Sequence, residues 1–436
     1  MPAATSLANL AGAISSRRIT PSGLTRDYLN RIRDSHLQAV VLAADELALS
    51  AAAATEVRQS AGETCGALAG LGVLVKETLS VEGLADSAAS SLELPDTGVF
   101  PPQGDLVSRI IALDGVILGK TRATEFAFAQ HNLRRGMPVN PVNPELVTGG
   151  SSSGSAVAVA AGLCSFAVGS DTGGSVRAPA AFCGIAGWLP GSEAWQHDGL
   201  FPLDPALDRI GLFARTVADL TFLAAGLSGK SVQGGLTLNG LKLGIPDRYF
   251  LEELDETVKE SFLLAVHKLG QSGVEFIEFS LPPMDVVERY YSRNLPQSLI
   301  GFLGEGLVTS GLGRLDPVTR ARLEPHLAAA QDPVSADELA AFAAACRSAV
   351  SEFHAWLVPT APAVPVRRQA LTDVDAVLQW QARASRNTRP VNLMGVPAVT
   401  LPIPSPEGAP VGLQVVGSSP DDGRLLAAAA AIEQCI

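Results

Sequence analysis

The sequence predicts an α/β fold, with a mixed central β-sheet covered by helices on both faces. Short apolar runs of strand length, Leu71–Val75, GVILGKT (115–121) and SFAVGS (165–170), alternate with longer stretches whose apolar residues recur at helical spacing. A chain of 436 residues, 47% hydrophobic and only 5% aromatic, is long enough to bury both faces of a large sheet. No linker-like segment divides it.

Residues 5–64 read as helical. SLANLAGAI and PSGLTRDYLNRIRDS carry apolar residues at helical spacing, Thr20–Pro21 suits a helix start, and DELALSAAAATEVRQS is an Ala-rich third helix. The strand Leu71–Val75 follows and ends in Lys76, with Glu77 and Thr78 next. A lysine in that place either reaches solvent or a carboxylate, or is a desolvated amine used as a base; spacing leaves both open. As a base it needs Glu77 to point elsewhere, because a facing carboxylate would keep the amine charged. DLVSRIIALDG is a helix ending in glycine, GVILGKT a buried strand, and ATEFAFAQ a short helix or turn. The loop 131–150 then delivers the chain to Ser151 and suits the wall of a cleft. His131 within it has no acidic partner in a telling motif, so a structural or substrate-lining role is preferred to that of a base.

Residues 148–183 hold two Gly/Ser turns, GGSSSGS and GSDTGGS, around an Ala-rich helix (155–163) and the strand SFAVGS. Glycine next to serine permits backbone angles that gather amide N–H groups and a hydroxyl at one point, as acyl transfer requires. A histidine-free site can be assembled from them. Ser175 attacks, the backbone of Thr172, Gly173 and Gly174 offers donors, and Ser151 relays a proton to a neutral Lys76. Arg177 either reads a substrate carboxylate or braces the turn through an internal ion pair. Cys164 and Cys183 read as core thiols.

After residue 183, TVADLTFLAAGLSG is a helix with a glycine stop, LKLGIPDRYF a strand and turn, TVKESFLLAVHKLGQSG an amphipathic helix and VEFIEFSLP a strand. Residues 284–350 read as helices and loops. WLVPTAPAVP is a strand that breaks into a Pro-rich loop, and a helix, strands and a final helix close the chain.

Lys76, GGSSSGSA, GSDTGGSVRAPAAFCG, LDRIGLFARTVADL, NLMGVPAVTLPIP and PVGLQVVG together make the chain resemble the amidase signature family over nearly its whole length. The spacings fit: 75 residues from Lys76 to Ser151 and 24 from there to Ser175. The resemblance implies a Ser–cis-Ser–Lys triad with Ser175 as nucleophile, Ser151 as the bridging cis serine and Lys76 as base. It places the oxyanion hole at the amides of Thr172, Gly173, Gly174 and Ser175. Residues 1–436 then form a single amidase domain, with a helical layer at about 5–64, a catalytic core at about 66–220 and a variable cleft rim at about 284–350. Departures from the family pattern are Leu74 where proline is usual, Glu77 where aspartate is common, Ser153 for glycine, and Trp188–Leu189–Pro190. Segments 131–137 and 188–198 are expected to approach the cleft, with His131, Arg177 and Trp188 as substrate-lining candidates.

The expected activity is hydrolysis of a carboxylic amide, releasing ammonia or an amine and needing no cofactor or metal. The alternatives are the glutaminase subunit of a tRNA-dependent amidotransferase and a non-catalytic scaffold of the same fold. The partner is a small-molecule amide, and a homodimer is left open. A net charge of −12 argues against a nucleic-acid partner, and no uninterrupted apolar run has membrane-spanning length. The five cysteines lack metal-ligand or disulfide spacing, and the N-terminus lacks the order of a signal peptide, so a cytoplasmic protein is expected.

Overall fold

A computed structural model describes residues 5–94, 103–230, 232, 236–327, 332–406 and 408–436. Eleven strands make one sheet: β1 (Val40–Ala43), β2 (Gly72–Lys76), β3 (Val116–Thr121), β4 (Phe166–Asp171), β5 (Ala186–Leu189), β6 (Arg209–Ala214), β7 (Lys242–Pro246), β8 (Glu275–Phe279), β9 (Ala355–Pro359), β10 (Ala398–Ile403) and β11 (Val411–Gly417). Their order across the sheet is β1-β3-β2-β4-β6-β5-β10-β11-β9-β7-β8. β2 runs parallel to both β3 and β4, whereas β4–β6, β6–β5, β5–β10 and β10–β11 are antiparallel, so the sheet is mixed as expected. Helices cover both of its faces. Every residue of the central strands β2–β6 is buried, which explains why β2, β3 and β4 read as apolar runs rather than as alternating patterns.

Two helices begin at the caps their sequences offer. Thr20 caps Pro21–Asp34 by accepting the Gly23 N–H, and Thr216 caps Val217–Ser228 in the same way through Asp219. Gly229, at φ 67°, ends the latter helix in the left-handed conformation that glycine adopts at least cost. The Ala-rich helix runs over Ser153–Ala160, starting and ending earlier than expected. Within 5–64 the structure adds an edge strand, β1, antiparallel to β3, and it makes strands of 186–189 and 209–214, which the sequence does not announce as strands. Residues 284–327 and 332–350 form helices joined by loops, and 328–331 lie outside the described residues.

Three segments bring the chemistry together. β2 and β4 run parallel and adjacent, so their carboxyl ends, at Lys76 and Asp171, share one edge of the sheet. The helix Ser153–Ala160 leads back into β4 and therefore begins at that same edge, which puts Ser151 there too.

Candidate active site

The Lys76 side chain is wholly buried, and its Nζ donates to Ser151 Oγ at 2.7 Å and to Ser170 Oγ at 2.8 Å. Burial lowers its pKa to about 7, against the opposing pull of Asp171, Asp208 and Glu77. Glu77 points away from the amine, as expected. Its carboxylate accepts from the Ala123 N–H at 2.6 Å and from both terminal nitrogens of Arg135 at 3.1 Å. Asp208, also buried, is raised by desolvation to about 7 although Thr172 Oγ1 donates to it at 2.5 Å.

The Gly150–Ser151 peptide bond is cis. Gly150 has no room for a side chain, since a Cβ would stand 2.4 Å from the Gln130 carbonyl oxygen. The two serine turns meet through their backbones: the Ser152 N–H donates to the Ser175 carbonyl at 3.3 Å. Lys76, Ser151 and the Ser175 turn are thus neighbours in space, although 99 residues separate the first from the last.

Asp171 shapes the second turn. One carboxylate oxygen accepts the Gly174 N–H at 2.7 Å, and the other accepts the Val176 N–H at 3.0 Å. Burial alone would raise this carboxyl, but the Arg177 guanidinium, Asn392 and the Val176 amide hold it well below the usual carboxylate range. Gly174 sits at φ 118°, and a Cβ there would lie 2.1 Å from Thr388 Oγ1, so neither the conformation nor the space admits another residue.

That geometry corrects the expected oxyanion hole. The Gly174 N–H is taken by Asp171 and is not available to a substrate oxygen. The amides of Thr172, Gly173 and Ser175 have no hydrogen-bond partner among the described residues. Tyr291 Oη donates to the Thr172 carbonyl at 2.7 Å, and Thr388 Oγ1 to the Gly173 carbonyl at 2.7 Å. In a trans peptide the C=O and the following N–H point in opposite directions, so Tyr291 sets the direction of the Gly173 N–H.

The substrate-lining expectations are also corrected. Arg177 is fully buried and faces inward: it pairs with Asp171 and donates to the Thr388 carbonyl, Gln414 Oε1 and Asn392 Oδ1. It is the internal brace and not a reader of substrate. Trp188 lies within β5 and is buried; its Nε1 donates to Asp422 Oδ1 at 3.0 Å, its ring meets Trp195 edge-on, and no residue of 188–198 is among those lining the cleft that holds Ser175. His131 is buried, and its neighbour Gln130, not His131 itself, lines the cleft that holds Ser175. Cys164 and Cys183 are buried thiols whose pKa values burial raises, so neither is a thiolate at neutral pH.

Four contributors escaped the sequence: Ser170, Tyr291, Arg322 and Arg389, the last three lining the cleft from 291–389. Ser170 left a trace, a hydroxyl that follows the apolar residues 166–169 of a buried strand. Tyr291 lies in a single π-turn, Tyr290–Asn294, which local spacing does not announce.

A protein-family model, Amidase, matches residues 23–426. The chain belongs to the Amidase family. It is 32% identical over 402 residues to 2-amino-5-chloromuconic acid deaminase of Comamonas testosteroni, covering 89% of this chain and 86% of that protein. It is 30% identical to a glutamyl-tRNA(Gln) amidotransferase subunit of Alkaliphilus metalliredigens, covering 96% and 94%. A solved structure described as an amidase superposes with a TM-score of 0.88 at 29% identity, over 99% of both chains. This member of the Amidase family is accordingly an amidohydrolase using serine- and lysine-based chemistry. Among the described residues no helix is long and apolar enough to cross a membrane.

Proposed function

We propose that the protein hydrolyses a small carboxylic amide through an acyl-enzyme on Ser175. The carrying observation is the 2.7 Å contact between Ser151 and a buried Lys76 whose pKa is about 7. A neutral amine there can accept the Ser151 proton while Ser151 takes that of Ser175. The Ser175 oxygen adds to the carbonyl carbon, and the oxyanion is received by the amides of Gly173 and Ser175 with that of Thr172 beside them. Collapse breaks the C–N bond, and the proton returns through Ser151 to the leaving nitrogen. Water then enters by the same relay and releases the acid.

A fluorophosphonate reagent tests this directly. Intact mass and peptide mapping should place one adduct on Ser175, and Ser175→Ala should lower kcat at least about a thousandfold, because no other hydroxyl replaces the nucleophile. An adduct on Ser151 or Cys183 would sink the assignment. The similarity to an amidotransferase subunit over 96% of the chain favours one further reading, a glutaminase that feeds ammonia to a partner. It requires that ammonia release from glutamine appear only when a second polypeptide is added.

A further inference from the structure

The cleft that holds Ser175 carries two guanidinium groups and, among the described residues lining it, no carboxylate. Arg322 comes from the helix Pro317–Leu323; its guanidinium lies 3.6 Å over the Phe128 ring and donates to the Phe128 carbonyl. Burial and the like charge of Arg389 both pull it below its ordinary pKa, and no ion pair of Arg322 is found among the described residues. Arg389 is 8% exposed and stands 5.0 Å from the Tyr291 ring. Its carboxylate neighbour, Glu288, is 4.0 Å away, beyond hydrogen-bonding distance, and largely exposed.

Arg322 is half-buried and Arg389 buried; the protein treats its two remaining buried arginines among the described residues, Arg177 and Arg209, differently. Arg177 is surrounded by Asp171, Gln414, Asn392 and a carbonyl, and Arg209 donates to the carbonyls of Pro190, Val396 and Asn392. A guanidinium offers five N–H donors, and a buried charge left without an acceptor is costly. Arg322 and Arg389 keep most of their donors unspent, side by side, in the cleft of the nucleophile.

We infer that the acyl part of the substrate carries a carboxylate, held between Arg322 and Arg389 while its amide lies at Ser175. The inference rests on the hydrolytic reading above. The substrates are then monoamides of short dicarboxylic acids. The flat forks of two guanidinium groups match a planar carboxylate, which each can meet with paired N–H donors. An additional ammonium on the acyl chain finds no acid among the described lining residues, so an amino-acid amide such as glutamine fits less well.

The test compares compounds that share one acyl chain: glutaramic acid, glutaramide and glutamine, and the same sets built on succinate and adipate. Wild-type kcat/KM for the monoamide anion should exceed that for the neutral diamide by at least about tenfold at one chain length, the range an arginine–carboxylate contact supplies. The α-amino compound should fall below the simple monoamide. Arg322→Gln and Arg389→Gln should each bring the anion-to-neutral ratio to within about threefold of unity. Succinate, glutarate or adipate should also slow fluorophosphonate labelling of Ser175 in the wild type and not in the variants, a readout that needs no turnover. If diamides are hydrolysed as well as monoamides at every length, or if none of these amides is hydrolysed although Ser175 is labelled, the inference is wrong while the nucleophile stands. A Ser175 that resists labelling overturns the hydrolytic reading instead.

Discussion

Lys76 is the residue on which mechanism and stability meet. A lysine acts as a base only when neutral, and desolvation brings its pKa down to about 7. We expect kcat/KM to rise with pH through a group near 7, because below that value the amine holds its proton and cannot accept another. Lys76→Arg should be nearly inactive, since a guanidinium stays charged; a pH–rate series on one neutral amide checks both points. Retention of wild-type kcat/KM by the arginine variant would leave Lys76 a structural cation. The same shift acts on folding. The folded pKa is below the unfolded value of 10.5, so between about 7 and 10.5 the unfolded chain binds the extra proton and this group makes stability rise with pH. Urea unfolding of wild type and Lys76→Met at a series of pH values should therefore show the wild type gaining on the variant from pH 7 to 10. A difference that stays flat would mean the lysine is not desolvated.

At the scale of elements, the turn Asp171–Ser175 is held from two sides. Asp171 gathers the amides of Gly174 and Val176, and Arg177 neutralises it while tying it to Asn392 and to Gln414 of β11. Arg177→Gln leaves a buried carboxylate unpaired, and we expect a loss of about 3–5 kcal/mol in unfolding free energy; denaturant titration measures it. From the rim, Tyr291 aims the Gly173 amide. Tyr291→Phe should lower kcat about tenfold with little change in KM, because the donor it orients is used most fully as charge develops on the oxyanion. Steady-state kinetics separates the two parameters, and a pure KM effect would make Tyr291 only a wall. Why β5 and β6 were not legible follows from their composition. β5 has four residues, and β6 opens on an arginine whose charge is absorbed by three carbonyls from elsewhere in the chain.

For the whole molecule, the mixed sheet does the positioning. β2 and β4 bring Lys76 and the second serine turn to one edge, and β11 carries the Gln414 acceptor that helps fix Arg177. The described groups of the relay all come from this one chain. The purified protein should hydrolyse a primary carboxamide with no second polypeptide present, read as ammonia released over time. Activity that appears only on adding a partner protein would favour the amidotransferase reading.

Taken alone, the sequence determined the mixed α/β architecture, the end of β2 at Lys76 and the two serine turns, because these depend on short-range features: apolar runs, glycine spacing and caps. It also implied that Glu77 turns away from the amine, since a facing carboxylate would keep the lysine charged. What it left open was every question of direction. Whether Arg177 faces substrate or core, whether Gly174 or Gly173 offers a free N–H, and whether Trp188 reaches the cleft depend on partners such as Asn392, Gln414, Tyr291 and Asp422, all distant in the chain. The two cleft arginines were illegible for the same reason. A guanidinium among helices and loops looks like any surface charge until the fold sets it in the cleft of Ser175, whose described lining holds no carboxylate.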